Sequence, residues 1–132
     1  MSFAGINWIA VAVAAVLAFV WGAIYYGVLS KPWQRAGRID PLNARPGPTI
    51  LAVTLVCELI AAAVLAMFML GLGQMSIAGG LTVGFFAWLG FIVSSMAMNH
   101  RYQGFGWELT AIDGGHWLGA VLIIGAVIGW WG

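Results

Sequence analysis

Charged side chains are scarce in this chain. Only 7% of its 132 residues are Asp, Glu, Lys or Arg, whereas 63% are hydrophobic. A soluble domain of this size needs a charged surface to stay dispersed, so the composition excludes an ordinary soluble protein. It also argues against a nucleic-acid partner, because five basic residues cannot build a broad positive face. We therefore expect a lipid bilayer around the chain.

Cysteine and the common catalytic motifs are also lacking. The single cysteine, Cys57, excludes an intramolecular disulfide. The sequence has no phosphate loop, dinucleotide fingerprint, nucleophile elbow or pair of metal ligands at a typical spacing. By residue type alone Glu58, His100, Asp113 and His116 would suit a transition metal. Without supporting spacing, we expect no metal and no cofactor, and the absent motifs favour a non-enzymatic role.

Long apolar runs are abundant. Crossing the hydrocarbon core of a bilayer takes about 20 apolar residues. Four runs reach that length, at about 6–29, 49–70, 77–98 and 109–131. The four prolines all lie between the first and second runs, where a helix cannot continue. The sequence thus predicts an all-α, four-helix transmembrane bundle that forms one domain over residues 1–132.

The basic residues indicate the orientation of the bundle. They lie in two connections only: Lys31, Arg35, Arg38 and Arg45 in the first, and Arg101 in the third. The positive-inside rule places these connections, 30–48 and 99–108, in the cytoplasm. Both termini then face the non-cytoplasmic side. We expect a multi-pass protein of a bacterial inner membrane.

Glu58 is the strongest candidate for a functional residue. At 1.5 Å per residue it lies on the order of 14 Å from the inner end of the second run, near the middle of the bilayer. A charged side chain there costs about 2.5–3.5 kcal/mol on insertion scales, so Glu58 must face the bundle, be paired or be protonated. It either binds a proton or cation, or makes a structural hydrogen bond that locks two helices.

Asp113 and His116 form the second candidate. They lie three residues apart on one face of the fourth helix, where they could share a proton or the aspartate could orient the imidazole. The alternative is a pair that anchors the helix end at the interface. We expect the polar side chains of the cytoplasmic half to converge on one interior. That set comprises Thr54, Glu58, Ser95, Asn99, Asp113 and His116.

Small residues recur at helical spacing, which allows close helix contacts. Ala10, Ala14, Ala18 and Gly22 form a smooth stripe on the first helix, and Gly80 and Gly84 form a GxxxG pair on the third. Such surfaces pack either within one chain or between chains. We expect a homo-oligomer or a larger membrane complex.

Short motifs occur along nearly the whole chain, at Gly22, Tyr25, Tyr26, Lys31, Trp33, Gly84, Trp88, Asn99, Trp107 and the segment 113–116. They resemble those of one bacterial membrane family, the domain of unknown function 1761. Tyr25 departs from the pattern, which has Trp there. The resemblance implies a small four-helix integral membrane protein and brings no activity, substrate or cofactor.

Three functional hypotheses follow. The first is a non-enzymatic protein that self-associates and serves as a scaffold or accessory membrane subunit. The second is a proton- or cation-linked transporter or channel that uses Glu58 with Asp113 and His116. It requires an oligomer, since four helices are few for alternating access. The third is an enzyme acting on a lipid or quinone at the interface, with His116 as general base oriented by Asp113.

Overall fold

The chain is helical throughout its regular structure. A computed structural model describes residues 2–132, and within that range it contains no strand. Its five longer helices are α1 (Trp8–Val28), α2 (Ser30–Gly37), α3 (Pro48–Gly71), α4 (Ile77–Tyr102) and α5 (Trp107–Trp131), and a short 3-10 helix spans Pro41–Asn43. All but α2 are long and apolar enough to cross a membrane. The predicted all-helical fold with four membrane-spanning helices is therefore confirmed at this level.

Local sequence signals set the helix ends. The Asn7 side chain caps α1 by accepting hydrogen bonds from the backbone of Ile9 and Ala10, both at 3.1 Å. Pro48 begins α3. At the start of a helix a backbone N–H has no partner within the helix, so the N–H that proline lacks is not needed there. The turn between α3 and α4 contains Gly73 at a φ of +66°, a conformation that side chains other than glycine rarely adopt.

The third membrane helix is longer than hydropathy predicted, and it is irregular. It continues four residues beyond position 98, because polar residues at the membrane surface keep helical hydrogen bonds although they end the apolar run. Its middle, Trp88–Val93, is a π-helical turn. One residue inserted into a helix rotates everything after it by roughly 100°, so this turn changes which residues of the second half of α4 face the bundle.

The connection 30–48 is partly helical. Its first eight residues form α2, with Pro32 in the first turn, where proline is tolerated. Arg38 ends the helix in the left-handed conformation, with a φ of 55°. Arg35 forms an ion pair with Glu108 at 2.5 Å, and Arg38 donates to the carbonyl of Gly104 at 2.8 Å. The two basic connections thus touch each other at one end of the bundle, which we call the basic end.

Helix α5 lies at the centre of the bundle. It packs along α1 on one side and along α4 on the other, while α3 packs mainly against α1 and less against α5. Alanines of α1 and α3, including Ala14, Ala18 and Ala62, let these two helices approach closely in the core. Helices α3 and α4, consecutive and antiparallel, have much less contact with each other. An apolar groove of about 440 Å³ lies between them.

The closest backbone approach is between α4 and α5. A Cβ atom at Gly80 would collide with the carbonyl oxygen of Gly125, and a Cβ atom at Gly125 would collide with that of Gly80. Gly129 approaches the Ser76 carbonyl in the same way. These contacts lie within one chain, and they explain why α4 packs on α5 rather than on α3.

Candidate functional site

Glu58 is buried in the apolar part of the bundle. It shares one face of α3 with Ala62, Leu65, Ala66 and Met69, the residues by which this helix packs into the core. The residue is only 1% exposed. Its Oε2 atom has no hydrogen-bond partner among residues 2–132. A structural hydrogen bond from Glu58 that would lock two helices is therefore not formed within this part of the chain.

His116 is buried among aromatic rings. The residue is 7% exposed, and its ring centroid lies 5.8 Å from that of Tyr25, 4.9 Å from Tyr26 and 5.4 Å from Trp117. A Cβ atom at Gly22 would lie 2.9 Å from Nε2, so the glycine makes room for the imidazole. The Nδ1 atom is buried without a hydrogen-bond partner in the described chain.

Glu58 and His116 lie at similar depth on helices that run in the same direction. Both α3 and α5 rise from the basic end, and the two helices are in contact. Glu58 is ten residues from the start of α3 and His116 nine from the start of α5, or about 15 Å and 13.5 Å along the helix axes. By this estimate Glu58 and His116, each with a buried side-chain atom that has no hydrogen-bond partner among residues 2–132, lie at about the same level of the bundle.

Asp113 belongs to a separate polar cluster nearer the basic end. The Tyr26 hydroxyl donates to its Oδ1 at 2.7 Å, and His100 Nε2 lies 3.8 Å from its Oδ2. Trp33 packs edge-on against the Tyr26 ring. Within residues 2–132 no hydrogen bond joins Asp113 to His116, so the suggested orientation of the imidazole by the aspartate is not seen here. The carboxylate is held by groups of α1 and α4, while the imidazole Nδ1 has no partner in the described chain.

The same cluster includes Thr110, which is 5% exposed on α5. His100 Nδ1 shares a hydrogen bond of 2.9 Å with its hydroxyl, and Arg101 donates to that hydroxyl at 2.7 Å. The Arg101 guanidinium also lies over the Trp107 ring, 3.9 Å from its centroid. His100 is in the last turn of α4, and its hydrogen bond to Thr110 joins this helix to α5.

Three aromatic side chains hold the glycine-rich segment of α5. Trp21 donates to the carbonyl of His116 at 3.0 Å, Tyr25 to that of Ile112 at 2.7 Å, and Trp88 to that of Gly114 at 2.8 Å. Two successive glycines leave this backbone uncovered, so indole and phenol groups can reach carbonyls that a side chain would shield. These contacts give the short motifs at the end of α1 and in the middle of α4 a structural role.

Three residues of the predicted polar interior lie on the outside of the bundle. Thr54, Ser95 and Asn99 are exposed. The Thr54 hydroxyl donates to the Ile50 carbonyl at 2.8 Å, and Ser95 donates to Phe91, each within its own helix. A hydroxyl that bonds one turn back needs no partner across the bundle. On α4 the π-helical turn also rotates the later residues away from the orientation that a regular helix predicts.

Thr110 is a residue of this cluster that sequence reasoning missed, and Tyr26 was predicted only as a motif residue, not as a partner of Asp113. A usable signal exists for the position of Tyr26. Bulky Trp21 and Tyr25 are four residues apart on α1, and Gly115 and Gly119 have the same spacing on α5. A Cβ atom at Gly119 would lie 2.5 Å from the Trp21 ring, so this pattern predicts the close packing that brings Tyr26 to Asp113.

Metal coordination finds no support in the described chain. Within residues 2–132, no group of three or more His, Cys, Asp and Glu side chains could hold a metal ion. Cys57 is exposed on the outer face of α3, although its neighbour in sequence is buried. The arrangement instead provides two buried proton acceptors, Glu58 and His116, above a hydrogen-bonded cluster at the basic end.

Comparison with known proteins identifies a family. The family described as "Protein of unknown function (DUF1761)" matches residues 9–129, a range that includes almost all of the four long helices. This is the family that the short motifs predicted. No curated protein and no solved structure matches the chain.

Proposed function

The chain belongs to the DUF1761 family, whose function is unknown, and from its own geometry we propose that it is a proton- or cation-linked transporter or channel. One observation carries the proposal. Glu58 is 1% exposed in a helix long and apolar enough to span a membrane, and its Oε2 has no partner in the described chain. Such a group is the ion-binding residue of this proposal.

The physical reason is the cost of an isolated charge in hydrocarbon. An ionised carboxylate without a partner is strongly unfavourable there, so it must bind a proton or another cation. Glu58 carries this cost and has no hydrogen bond that offsets it. Such a residue indicates a function in binding a proton or another cation. Ionisable residues inside membranes mark ion and substrate pathways for this reason.

We also propose the membrane, the orientation and the assembly state of the protein. Residues 1–132 form one domain in a bacterial inner membrane, with the basic end in the cytoplasm and both termini on the other side. The protein acts as a homo-oligomer, because four helices are few for alternating access within one chain. The exposed apolar faces of α3 and α4, with the groove between them, are available for contact with lipid or a second copy.

The test is ion flux into liposomes that contain the purified protein. An internal pH indicator reports protons, and separate indicators report sodium and potassium. We expect flux of one of these ions that Glu58→Gln abolishes. The matched control is Glu108→Gln, which removes the second glutamate of the chain at a site that is exposed and paired with Arg35. Equal flux through the wild-type and Glu58→Gln proteins would contradict the proposal.

A scaffold or accessory subunit is the second candidate, and the cluster around Asp113 favours it. That carboxylate and the Thr110 hydroxyl already have partners within the chain, as expected of a cluster that fixes helices in place. Native mass spectrometry of the protein released gently from its membrane separates the candidates. A complex with other subunits would support the accessory role. A homo-oligomer that retains a bound ion would support the ion-linked one.

The interfacial enzyme is not proposed. That hypothesis required Asp113 to orient His116 as a general base, whereas Asp113 is hydrogen-bonded to Tyr26 and no hydrogen bond joins it to His116 among residues 2–132. His116 is also 7% exposed and surrounded by rings, which leaves no room for a substrate carbonyl or ring at its Nδ1.

A further inference from the structure

We infer that the ion bound by Glu58 is a proton and that it arrives from the basic end through His100, Asp113, Tyr26 and His116. The inference rests on the proposed function, because it takes Glu58 as the binding group. It adds the identity of the ion, the side from which the ion enters and the residues that conduct it.

The first links of this route are close contacts between three helices. His100 is near the basic end of α4, with its side chain 13% exposed, and its Nε2 lies 3.8 Å from Asp113 Oδ2. The other carboxylate oxygen, Oδ1, accepts a hydrogen bond of 2.7 Å from Tyr26 of α1. A proton taken up at the surface by the imidazole can therefore pass to a carboxylate that is itself bonded to a phenol.

The later links lead to the middle of the bundle. The Tyr26 ring lies 4.9 Å from that of His116, with the two planes tilted by 44°. The imidazole is buried, and its Nδ1 has no partner in the described chain, so it is free to accept. Glu58 lies at the same level on the neighbouring helix α3, and its Oε2 is equally free. Transfer of the proton in this proposal requires that rotation of the flexible glutamate side chain bring the acid within hydrogen-bond distance of the imidazole.

The surroundings of Glu58 select a proton over a metal cation. Hard cations in proteins take several oxygen ligands at once, six or more for calcium and magnesium. Helix α3 packs into the core through alanine, leucine and methionine, and α1 contributes alanines to the same cluster. The ionisable groups that face His116 are Tyr25 and Tyr26 of α1, with Asp113 beyond them on α5. One carboxylate in alanine surroundings suits a proton.

Each step moves one proton and no electrons. The His100 imidazolium gives a proton to the Asp113 carboxylate and becomes neutral. The carboxyl group then turns its acidic proton toward Tyr26, and the Tyr26 hydroxyl turns from Asp113 toward His116. The acid gives its proton to the Tyr26 oxygen while the hydroxyl proton passes to His116. The His116 imidazolium then gives its proton to the Glu58 carboxylate, which becomes a neutral acid. Every donor is restored, and the net change is one proton carried from the basic end to Glu58.

The test compares two adjacent tyrosines in the liposome assay. Tyr26→Phe removes the hydroxyl that contacts Asp113, whereas Tyr25→Phe removes a hydroxyl that donates to the Ile112 backbone instead. Both variants keep the ring. We expect Tyr26→Phe to slow proton flux by about tenfold or more, the scale of a lost acid–base group. We expect Tyr25→Phe to stay within about twofold of the wild-type rate, since it leaves every member of the route in place.

A second substitution and a second readout keep the result interpretable. Asp113→Asn retains the shape of the side chain but cannot carry a proton, so it must slow the flux as Tyr26→Phe does, even if the tyrosine variant is unstable. In either variant the infrared band of the protonated Glu58 carboxyl must remain and form more slowly after a pH jump. A purely structural role of the cluster would instead abolish that band together with the fold.

The outcomes separate the route from the proposed function. If Glu58→Gln stops the flux and both Tyr26→Phe and Asp113→Asn leave it unchanged, the route is wrong while the function stands. Sodium or potassium flux that depends on Glu58 and occurs without proton flux would also overturn the assignment of the ion as a proton, while the proposed function stands. If Glu58→Gln leaves all ion flux unchanged, the proposed function fails, and the route fails with it.

Discussion

Replacing Glu58 by leucine is expected to make the protein more stable. The glutamate is 1% exposed and its Oε2 has no partner among residues 2–132, so the folded protein contains a buried polar atom without a hydrogen bond. Leaving such an atom unsatisfied costs about 1–3 kcal/mol. Leucine has a similar volume and no polar atom, and it suits a helix face shared with Ala62, Leu65 and Met69. We expect Glu58→Leu to raise the free energy of unfolding by about 1–3 kcal/mol.

The assay is unfolding in mixed micelles, followed by circular dichroism as the share of denaturing detergent rises. Glu58→Gln should leave the free energy of unfolding almost unchanged, because the amide lacks a partner as the acid does. Glu108→Leu is the matched control. Its carboxylate is exposed and paired with Arg35, and such surface pairs contribute about 0–1 kcal/mol. Its removal should therefore change stability little, in the destabilising direction.

The sign of the change decides between two roles of the glutamate. A residue kept for ion binding reduces stability, and its replacement by leucine should remove ion flux and increase stability together. A residue kept as a structural hydrogen bond would have the opposite effect. A loss of about 1 kcal/mol or more in Glu58→Leu, the scale of a broken buried hydrogen bond, would show that the carboxyl has a structural partner and would refute the reasoning.

Three further predictions concern packing and orientation. Gly80→Ala places a methyl group against the Gly125 carbonyl and should lower the free energy of unfolding by about 1–3 kcal/mol, while Gly90→Ala, which meets open space on the same helix, should not. Trp88→Phe loses the hydrogen bond to the α5 backbone and should cost about 0.5–1.5 kcal/mol in the same assay. Arg45→Cys in a Cys57→Ser chain should react with an impermeant maleimide only after the cytoplasmic side is opened; labelling of intact cells would reverse the proposed orientation.

The fold was largely predictable because it depends on the length and hydropathy of each apolar run, which are sums over consecutive residues. Four apolar runs of sufficient length require four helices whatever their packing, and the predicted and observed ends agree to within a few residues. The observed ends differ from the predicted ones where polar residues continue a helix past the apolar run, as at the basic end of α4. Hydropathy measures the surroundings of a residue, whereas a helix ends where its backbone hydrogen bonds end.

The candidate site was predictable only in part. Glu58 was identified because an acid in an apolar helix must be buried or paired, a conclusion that needs no knowledge of neighbours. The partners of Asp113 were not predictable, because they depend on the register between α1 and α5. That register is set by Trp21 and Tyr25 packing against Gly119 and Gly115. Thr54 was misplaced because its hydroxyl bonds within its own helix, an option that spacing along the sequence does not exclude.

The π-helical turn explains the remaining error. A regular helix would bring Ser95 and Asn99 to the face that Gly84 occupies, and the irregular turn at Trp88–Val93 rotates them outward. No residue in this turn marks it in the sequence. Its position becomes understandable only in the folded bundle, where the Trp88 indole donates to the Gly114 carbonyl on the central helix.

Infrared difference spectroscopy of the reconstituted protein between acid and alkaline pH tests the central claim most directly, because it observes the Glu58 carboxyl group itself. The account predicts a protonated-carboxyl band that appears and disappears reversibly with pH in the wild-type and Glu108→Gln proteins and is missing in Glu58→Gln. A band that persists in Glu58→Gln, or a Glu58 carboxyl that never exchanges its proton, would contradict the claim that this residue binds and releases an ion inside the membrane.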